Sequence, residues 1–325
     1  MNKFEYFEPQ SVDDLLSLLE EYGEGAKILA GGTDLIPQMK RGLIVPRVLL
    51  SLSKISDLQK VEEDQGGLRI GAMIALAILE RSPLLASLYP GLQKAISHVG
   101  TPSIRNTATL GGNVCLDTKC IYRDQVQTWR RALEPCFKQG GQRCYVVRGG
   151  KTCHASLAAD TVPVLIALGA AVEVLSASAE KSVPVEALYT GDGVRPLILD
   201  HKDLVTGVIL PPLPGSTRCA YFRFSPRKAI DFPVVSAAIY LDAQDGICLN
   251  VRAVLGAVAP KPIRLSQLEE ALKGKRITQD LLRECSEEAP AEALQKSKSG
   301  RIDVFTRKMI THLVYQGLTE VSERK

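Results

Sequence analysis

Four widely spaced cysteines are the residues of this sequence best suited to chemistry. Cys120, Cys136, Cys144 and Cys153 are separated by 15, 7 and 8 residues, and Cys115 lies just upstream. These intervals differ from the C-x2-C pairs of zinc fingers and ribbons, which argues against structural zinc. Thiolates without regularly spaced histidines suit a soft metal, above all an iron-sulfur cluster. The segment therefore predicts an iron-sulfur site, with free buried thiols as the alternative.

Two glycine pairs form a second candidate site. In KILAGGTDLIP a predicted strand runs into Gly31 and Gly32 and then into a helix, and TATLGGNVC contains Gly111 and Gly112. Paired glycines let backbone N–H groups approach phosphate oxygens closely. Two such turns suit the pyrophosphate of one dinucleotide, and ordinary tight turns are the alternative for each. Neither loop has the spacing of a Rossmann fingerprint or a P-loop.

The composition indicates a globular chain with more than one domain. Its 325 residues are 45% hydrophobic, so two or three domains are expected. The net charge of +4, without basic blocks, argues against a nucleic-acid partner. The N-terminus lacks an apolar signal region, and the longest apolar run, 162–172, is shorter than the roughly 20 residues of a membrane span. We expect a cytoplasmic protein with reduced thiols.

Residue patterns predict an α/β opening and an antiparallel C-terminal region. Ser11 begins a helix that Gly23 ends, and strands are expected at 27–30, 47–52 and 67–72. Prolines at 211, 212 and 214 mark the main boundary. Further expected elements are a helical stretch over 78–100, a helix-to-strand run over 161–175, two strands joined by Asp245 and Gly246, and helices at 266–272, 280–289 and 304–318.

Motifs along nearly the whole chain resemble the FAD-binding medium subunits of the molybdenum hydroxylase (xanthine oxidase) family. In order, they are AGGTDLIPQMKRG, LRIGAMIALAIL, SIRNTATLGGN, LAADTVPVLIALGAAVEV, DLVTGVILPP, FRFSPRKAIDFPVVSAAI and AVLGAVAPKPIRLSQLEEAL. The resemblance implies an α+β protein. Its two-part α/β FAD-binding region would be of the PCMH, or vanillyl-alcohol-oxidase-like, type, followed by a C-terminal antiparallel sheet with helices like that of CO dehydrogenase flavoproteins. The implied domains are 1–55, 56–214 with an iron-sulfur loop at about 115–155, and 215–325.

The same resemblance assigns residues to FAD. Asp160 corresponds to an aspartate beside the flavin end, where a carboxylate accepts hydrogen bonds, and a helix N-cap is its alternative role. Arg223 corresponds to a lysine near the flavin pyrimidine edge, with Arg227 or Lys228 as alternatives, and a surface salt bridge is the other explanation of Arg223. The two loops supply Leu29, Ala30, Gly31, Gly32, Thr33, Asp34 and Leu35, and Thr109, Gly111, Gly112 and Asn113.

In most medium subunits of this family about a dozen residues separate GGN from the LAAD aspartate, whereas this chain has some 40 more. The additional segment is similar to the insertion in beta subunits of the 4-hydroxybenzoyl-CoA reductase group. The similarity includes GGNVCLDTKC, Trp129 and the wide cysteine intervals. It implies a 4Fe-4S cluster, with Cys115 as the alternative to Cys120. The implied ligands are Cys120, Cys136, Cys144 and Cys153, whereas free buried thiols are expected for Cys219, Cys248 and Cys285.

These resemblances imply an electron-transfer subunit without catalytic residues of its own. Substrate would bind a large molybdopterin subunit, and a small subunit would carry two 2Fe-2S clusters, in a heterotrimer that can dimerise. In the reductase, electrons pass from a ferredoxin-like donor through 4Fe-4S and FAD to 2Fe-2S and molybdenum, and 4-hydroxybenzoyl-CoA becomes benzoyl-CoA in anaerobic aromatic degradation. The alternatives are the medium subunit of an aldehyde oxidoreductase or other molybdenum hydroxylase, and a zinc-stabilised binding protein.

Overall fold

The structure, a computed structural model, describes residues 2–64, 67–176, 179–227, 230–297 and 301–323. Within these residues three β-sheets follow one another along the chain. Each sheet is built within one of the three predicted segments. No helix of the described residues is long and apolar enough to cross a membrane.

The N-terminal sheet is parallel. Its region contains β1 (Glu5–Phe7), α1 (Val12–Tyr22), β2 (Ala26–Leu29), α2 (Leu35–Lys40) and β3 (Val48–Ser51). The strand order is β1-β3-β2. The predicted first helix is confirmed, because the Ser11 hydroxyl accepts a hydrogen bond from the Asp14 N–H at 3.1 Å and Gly23 follows its last residue with a φ of +52°. Leu15 and Leu19 bury the inner face of this helix against the sheet.

The middle sheet is antiparallel. Its strands are β4 (Val61–Asp64), β5 (Gly67–Gly71), β6 (Ala171–Leu175), β7 (Glu180–Pro184) and β8 (Leu204–Leu210), in the order β4-β5-β8-β6-β7. Between β5 and β6 lie α3 (Leu76–Glu80), α4 (Pro83–Leu88), α5 (Pro90–Ser97), α6 (Pro102–Arg105), α7 (Leu110–Val114), α8 (Gln127–Arg131) and α9 (Thr161–Leu168). The helical stretch predicted over 78–100 is confirmed and is divided among α3, α4 and α5. Pro83 and Pro90 each begin a new helix, because proline is favoured at the first helical position and disrupts a helix interior.

The C-terminal sheet is antiparallel and is covered by helices. Its elements are β9 (Thr217–Phe224), β10 (Val235–Gln244), β11 (Ile247–Gly256), β12 (Ile263–Arg264), α10 (Ser266–Leu272), α11 (Gln279–Ser297) and α12 (Val304–Glu323). The predicted hairpin is confirmed, because Asp245 and Gly246 join β10 to β11 with φ angles of +52° and +75°. The predicted helix end at Ala289 was wrong. Helix α11 continues through Pro290, since Pro290 and Ala293 are buried and their packing outweighs the lost backbone hydrogen bond.

Helix α9 joins the middle and C-terminal sheets. Every residue of the helix is buried, as its uninterrupted apolar sequence predicts. The hydrophobic core that contains α9 also includes Val172 of the middle sheet and Tyr221 of the C-terminal sheet. The residue that precedes α9, Asp160, therefore lies where these two sheets meet.

Candidate functional site

A cleft of about 1290 Å³ is lined by residues of all three sheet regions. It is larger than the roughly 300–1,000 Å³ of typical small-ligand sites, which suits a dinucleotide. Of the residues predicted in the two glycine loops, Leu29 is not in the lining and belongs to β2. The others line the cleft: Ala30, Gly31, Gly32, Thr33, Asp34, Leu35, Thr109, Gly111, Gly112 and Asn113.

The glycine loops are closely packed against neighbouring backbone. A Cβ on Gly31 would lie 1.9 Å from the carbonyl oxygen of Thr107, which belongs to the second loop region. A Cβ on Gly111 would lie 2.6 Å from the Cβ of Ala72. Gly32 has a φ of +69°, a conformation that glycine adopts without steric cost. Glycine at position 31 therefore lets the two loops approach each other, and Gly111 lets the second loop pack against Ala72.

Side-chain hydrogen bonds fix the second glycine loop. The Thr109 hydroxyl accepts a hydrogen bond from the Gly112 N–H at 3.1 Å and so caps the short helix α7. The Asn113 amide oxygen accepts a hydrogen bond from the Thr161 hydroxyl at 2.7 Å. Because Thr161 is the first residue of α9, this bond attaches the loop to the buried helix.

Asp160 lines the cleft, and its carboxylate is buried with two partners. It accepts hydrogen bonds from the Tyr221 hydroxyl at 2.6 Å and from Arg223 Nη1 at 3.0 Å. Burial raises the pKa of Asp160 to about 6, and the charge of Arg223 and the hydrogen bond from Tyr221 oppose the rise. Asp160 occupies the N-cap position of α9, as the alternative predicted, but its carboxylate makes no capping hydrogen bond to the helix.

Arg223 lies on β9 and is committed to partners within the protein. Besides its ion pair with the buried carboxylate, it donates to the backbone oxygens of His98, at 2.9 Å, and Asp231. Its side chain is only 7% exposed, so the pair is not a surface salt bridge. Arg227, in contrast, lines the cleft and pairs with the Asp231 carboxylate at 3.1 Å. Lys228 lies outside the described residues.

A second cavity, of about 20 Å³, is lined by all four cysteines predicted as cluster ligands, and we call it the thiol cavity. Cys136 and Cys153 are buried, and Cys120 and Cys144 are half-buried. Cys115 lines the large cleft instead, and burial raises its pKa to about 12. The fold thus brings together four thiols that are distant in sequence and separates them from Cys115.

Positive side chains surround the thiol cavity. Arg123, Lys138 and Arg143 contribute to its lining. Arg301, which precedes α12, donates from Nη1 to the backbone oxygen of His154 at 3.2 Å. Burial lowers the pKa of Arg301, and the adjacent cysteine thiols oppose the decrease. Arg123 and Lys138 also pair with Asp117, and Arg143 pairs with Glu134, so carboxylates partly balance these charges. The cations still lie beside thiols that would hold a cluster of net negative charge.

The four cysteines line one small cavity. In the part of the chain that the structure describes, no three or more His, Cys, Asp or Glu side chains are arranged to hold a metal ion. A single zinc would need its sulfurs about 2.3 Å from one centre. The described thiols are thus not arranged around a single ion, and four thiolates are the usual ligands of a four-iron cluster.

A backbone bridge closes the base of the cysteine loop, the segment from Cys120 to Cys153. Lys119 and Ser156 exchange hydrogen bonds, N to O, at 2.7 and 3.0 Å. This bridge brings the chain just before Cys120 close to the chain just after Cys153. The Lys119 ammonium group also pairs with Asp34 of the first glycine loop. Sequence reasoning missed this lysine, although its position next to a predicted ligand could have indicated it.

Residues 2–213 match the family described as the FAD binding domain in molybdopterin dehydrogenase, and residues 220–321 match the CO dehydrogenase flavoprotein C-terminal domain. The chain belongs to this family of FAD-binding subunits of molybdenum hydroxylases. The predicted α+β fold, with its FAD-binding region and C-terminal domain, is confirmed. The predicted oxidoreductase class is also confirmed, and FAD is a cofactor of the family.

Full-length relatives support this family membership. The chain is 26% identical to the nicotine 6-hydroxylase medium subunit of Paenarthrobacter nicotinovorans, over 98% of this chain and 97% of that one. It is 23% identical to the glyceraldehyde dehydrogenase medium chain of Sulfolobus acidocaldarius, over 98% and 99%. The reconstituted CO dehydrogenase from Oligotropha carboxidovorans contains a chain with the same fold, at a TM-score of 0.79, 25% identity, and coverage of 100% and 99%. The first two of these relatives are the medium subunit or medium chain of their enzymes.

Proposed function

We propose that this subunit transfers electrons in a 4-hydroxybenzoyl-CoA reductase, with FAD in the cleft and a 4Fe-4S cluster in the thiol cavity. The observation that carries the proposal is the convergence of the four inserted cysteines on one cavity. The inserted segment also resembles the corresponding segment of that reductase. FAD exchanges electrons singly or in pairs, whereas an iron-sulfur cluster passes one at a time.

The cleft suits FAD at the two glycine loops. Gly31 and Gly111 let each loop pack closely against Thr107 and Ala72 beside the cleft, and the backbone N–H groups of such glycine turns suit a diphosphate. The Asp160 carboxylate lines the same cleft and offers hydrogen-bond acceptors to the ribityl or ring groups. Arg227 is the cleft-lining cation that we assign to the flavin ring edge, because Arg223 already has three partners within the protein.

The thiol cavity suits a 4Fe-4S cluster in its donor set and its charge. The proposed ligands are Cys120, Cys136, Cys144 and Cys153, all of which line the cavity. Four thiolate donors are the usual ligands of such a cluster. The charges of Lys138 and Arg301 stabilise thiolate ligands, since opposite charge nearby favours the ionised form of an acid. Both charges lie beside the cysteines rather than in bulk solvent.

The proposed complex contains a large molybdopterin subunit and a small subunit with two 2Fe-2S clusters. The electron donor would be a ferredoxin-like carrier. The thiol cavity would hold the cluster and the cleft would hold FAD, and these two groups would supply the electron transfer. On the large subunit, 4-hydroxybenzoyl-CoA takes up two electrons and two protons, loses its hydroxyl group as water and becomes benzoyl-CoA. This chain supplies no acid or base to that reaction.

Assays of the native complex test the proposal. The complex is purified without oxygen and supplied with a reduced viologen dye and 4-hydroxybenzoyl-CoA. We expect the dye to be oxidised only when the thioester is present. One molecule of benzoyl-CoA should form for every two electrons that the dye gives up. Absence of benzoyl-CoA from an active complex would contradict the reductase assignment.

The glyceraldehyde dehydrogenase relative supports a second candidate, an aldehyde-oxidising complex. In that case the purified complex reduces an oxidised dye when an aromatic or aliphatic aldehyde is added, and the aldehyde becomes a carboxylic acid. The thioester is then inactive with reduced dye. The two candidates therefore give opposite patterns in one pair of assays.

A further inference from the structure

A series of hydrogen bonds joins the first glycine loop to the cysteine loop. The Asp34 carboxylate accepts hydrogen bonds from Gln38 Nε2 at 2.7 Å and from Lys119 Nζ. The amide oxygen of Gln38 accepts a hydrogen bond from Arg123 Nη1 at 2.9 Å. Two residues of the glycine loop and its helix thus contact Arg123 in the cysteine loop and Lys119, which directly precedes it.

The series closes into a ring at a proposed cluster ligand. Arg123 Nη1 also donates to Asp124 Oδ1 at 3.2 Å. The other oxygen of Asp124 accepts the backbone N–H of Cys120 at 2.9 Å. Lys119 is covalently bonded to Cys120, which completes the circuit. We call this set the polar ring, and its members are Asp34, Gln38, Lys119, Cys120, Arg123 and Asp124.

Three side chains of the polar ring are largely shielded from solvent, whereas the Asp34 side chain is 33% exposed. Gln38 is 5% exposed and Arg123 is 7% exposed, and the Lys119 side chain is 14% exposed. Buried hydrogen bonds of this kind are costly to break, because a buried donor or acceptor without a partner loses its solvation. The ring therefore favours one relative position of the glycine loop and the cysteine loop over others.

We infer that the polar ring couples the two cofactor sites, so that FAD and the iron-sulfur cluster each raise the affinity of the protein for the other. The inference rests on the proposed cofactors. A cofactor that orders one loop fixes the ring, and the second cofactor then meets a loop that is already ordered and costs less entropy to bind. Thermodynamic linkage makes the effect reciprocal. Gln38 and Arg123 act here as positioning residues.

FAD titrations of the full chain test the coupling. The dissociation constant of FAD is measured by flavin fluorescence on protein with its cluster and on protein stripped of iron by a chelator. For the wild type we expect the cluster to lower this constant by about 5- to 150-fold, the usual range of coupling between sites. In Gln38→Leu the ratio of the two constants should fall to about one, whatever the absolute affinity.

Two further variants sharpen the test. Arg123→Met breaks the ring from the side of the thiol cavity and should also abolish the ratio, so the test does not depend on Gln38→Leu alone. Gln93→Leu is the matched control, because Gln93 donates to the Glu80 carbonyl at 2.8 Å and lines neither cavity. It should keep the wild-type ratio.

Different results overturn different statements. If wild-type protein has the same FAD dissociation constant with and without its cluster, the coupling is overturned. The proposal that the protein binds both cofactors is not affected by that result. A wild-type ratio preserved in both ring variants shows that the ring does not carry the coupling. Wild-type protein that binds no FAD, or holds no iron before chelation, overturns the proposed function itself and the inference with it.

Discussion

Replacing Gly31 with alanine tests whether the two glycine loops must touch. A Cβ at this position would lie 1.9 Å from the Thr107 carbonyl oxygen and 2.7 Å from its carbonyl carbon. Contacts shorter than 3.0 Å are essentially never made by real Cβ atoms, so the loops must separate by at least about 1.1 Å. The obstacle is backbone, which cannot rotate away as a side chain can. The two glycine loops of the proposed FAD site would therefore move apart.

The size of the effect follows from packing energies. Forcing an extra methyl group into a closely packed site costs about 1–3 kcal/mol. Each 1.4 kcal/mol corresponds to a tenfold change in affinity. If the FAD-bound protein bears the whole cost, FAD affinity falls by about 5- to 150-fold. If the FAD-free protein bears part of the same packing cost, that part lowers the stability of the protein and does not weaken FAD binding.

Fluorescence titration with FAD measures the loss of affinity, and thermal unfolding of the same preparations measures the loss of stability. The control is Gly215→Ala, because a Cβ on Gly215 meets nothing within 4 Å. We expect the control to match the wild type in both measurements. If Gly31→Ala binds FAD as tightly as the wild type and unfolds at the same temperature, contact between the loops is not what forms the FAD site.

Three further substitutions test separate parts of the account. Cys136→Ser should remove the iron-sulfur absorption and lower the iron content while FAD stays bound, whereas Cys285→Ser in α11 should change neither; complete iron in Cys136→Ser would contradict the ligand assignment. Arg301→Gln should lower the cluster's midpoint potential by on the order of 50 mV, because a nearby cation stabilises the more negative reduced state. A redox titration followed by electron paramagnetic resonance measures this potential. An unchanged or higher potential would refute this role. Burial raises the pKa of Asp160 to about 6, so the native protein holds this proton more tightly than the unfolded chain does, and the contribution of Asp160 to stability falls as pH rises from about 4 to 6. In urea unfolding, the wild-type free energy minus that of Asp160→Asn should therefore fall by about 3 kcal/mol over this window and then level off, and a difference that grows with pH would contradict the sign.

Features fixed by neighbouring residues could be predicted from the sequence. Ser11 predicted a helix start because its hydroxyl reaches a backbone N–H only three residues away. Asp245 and Gly246 predicted a hairpin because both adopt positive φ. The glycine loops were found because strand, glycine pair and helix follow each other directly in the chain.

Features that depend on distant residues could not be predicted in this way. Tyr221 and Arg223 meet Asp160 across more than 60 residues, and Arg301 approaches the cysteine loop from the far end of the chain. Nothing in the local sequence of Arg301 indicates such a partner. Helix α11 passes through Pro290 because tertiary packing, rather than local propensity, decides where that helix ends.

Determination of flavin, iron and zinc in the purified full chain tests the central claim most directly. The protein is prepared without oxygen and its absorption spectrum is recorded before and after reduction. We expect yellow-brown protein with about one FAD and about four irons per chain, and flavin and iron-sulfur absorption that both bleach on reduction. Colourless protein that contains one zinc and no flavin would contradict it.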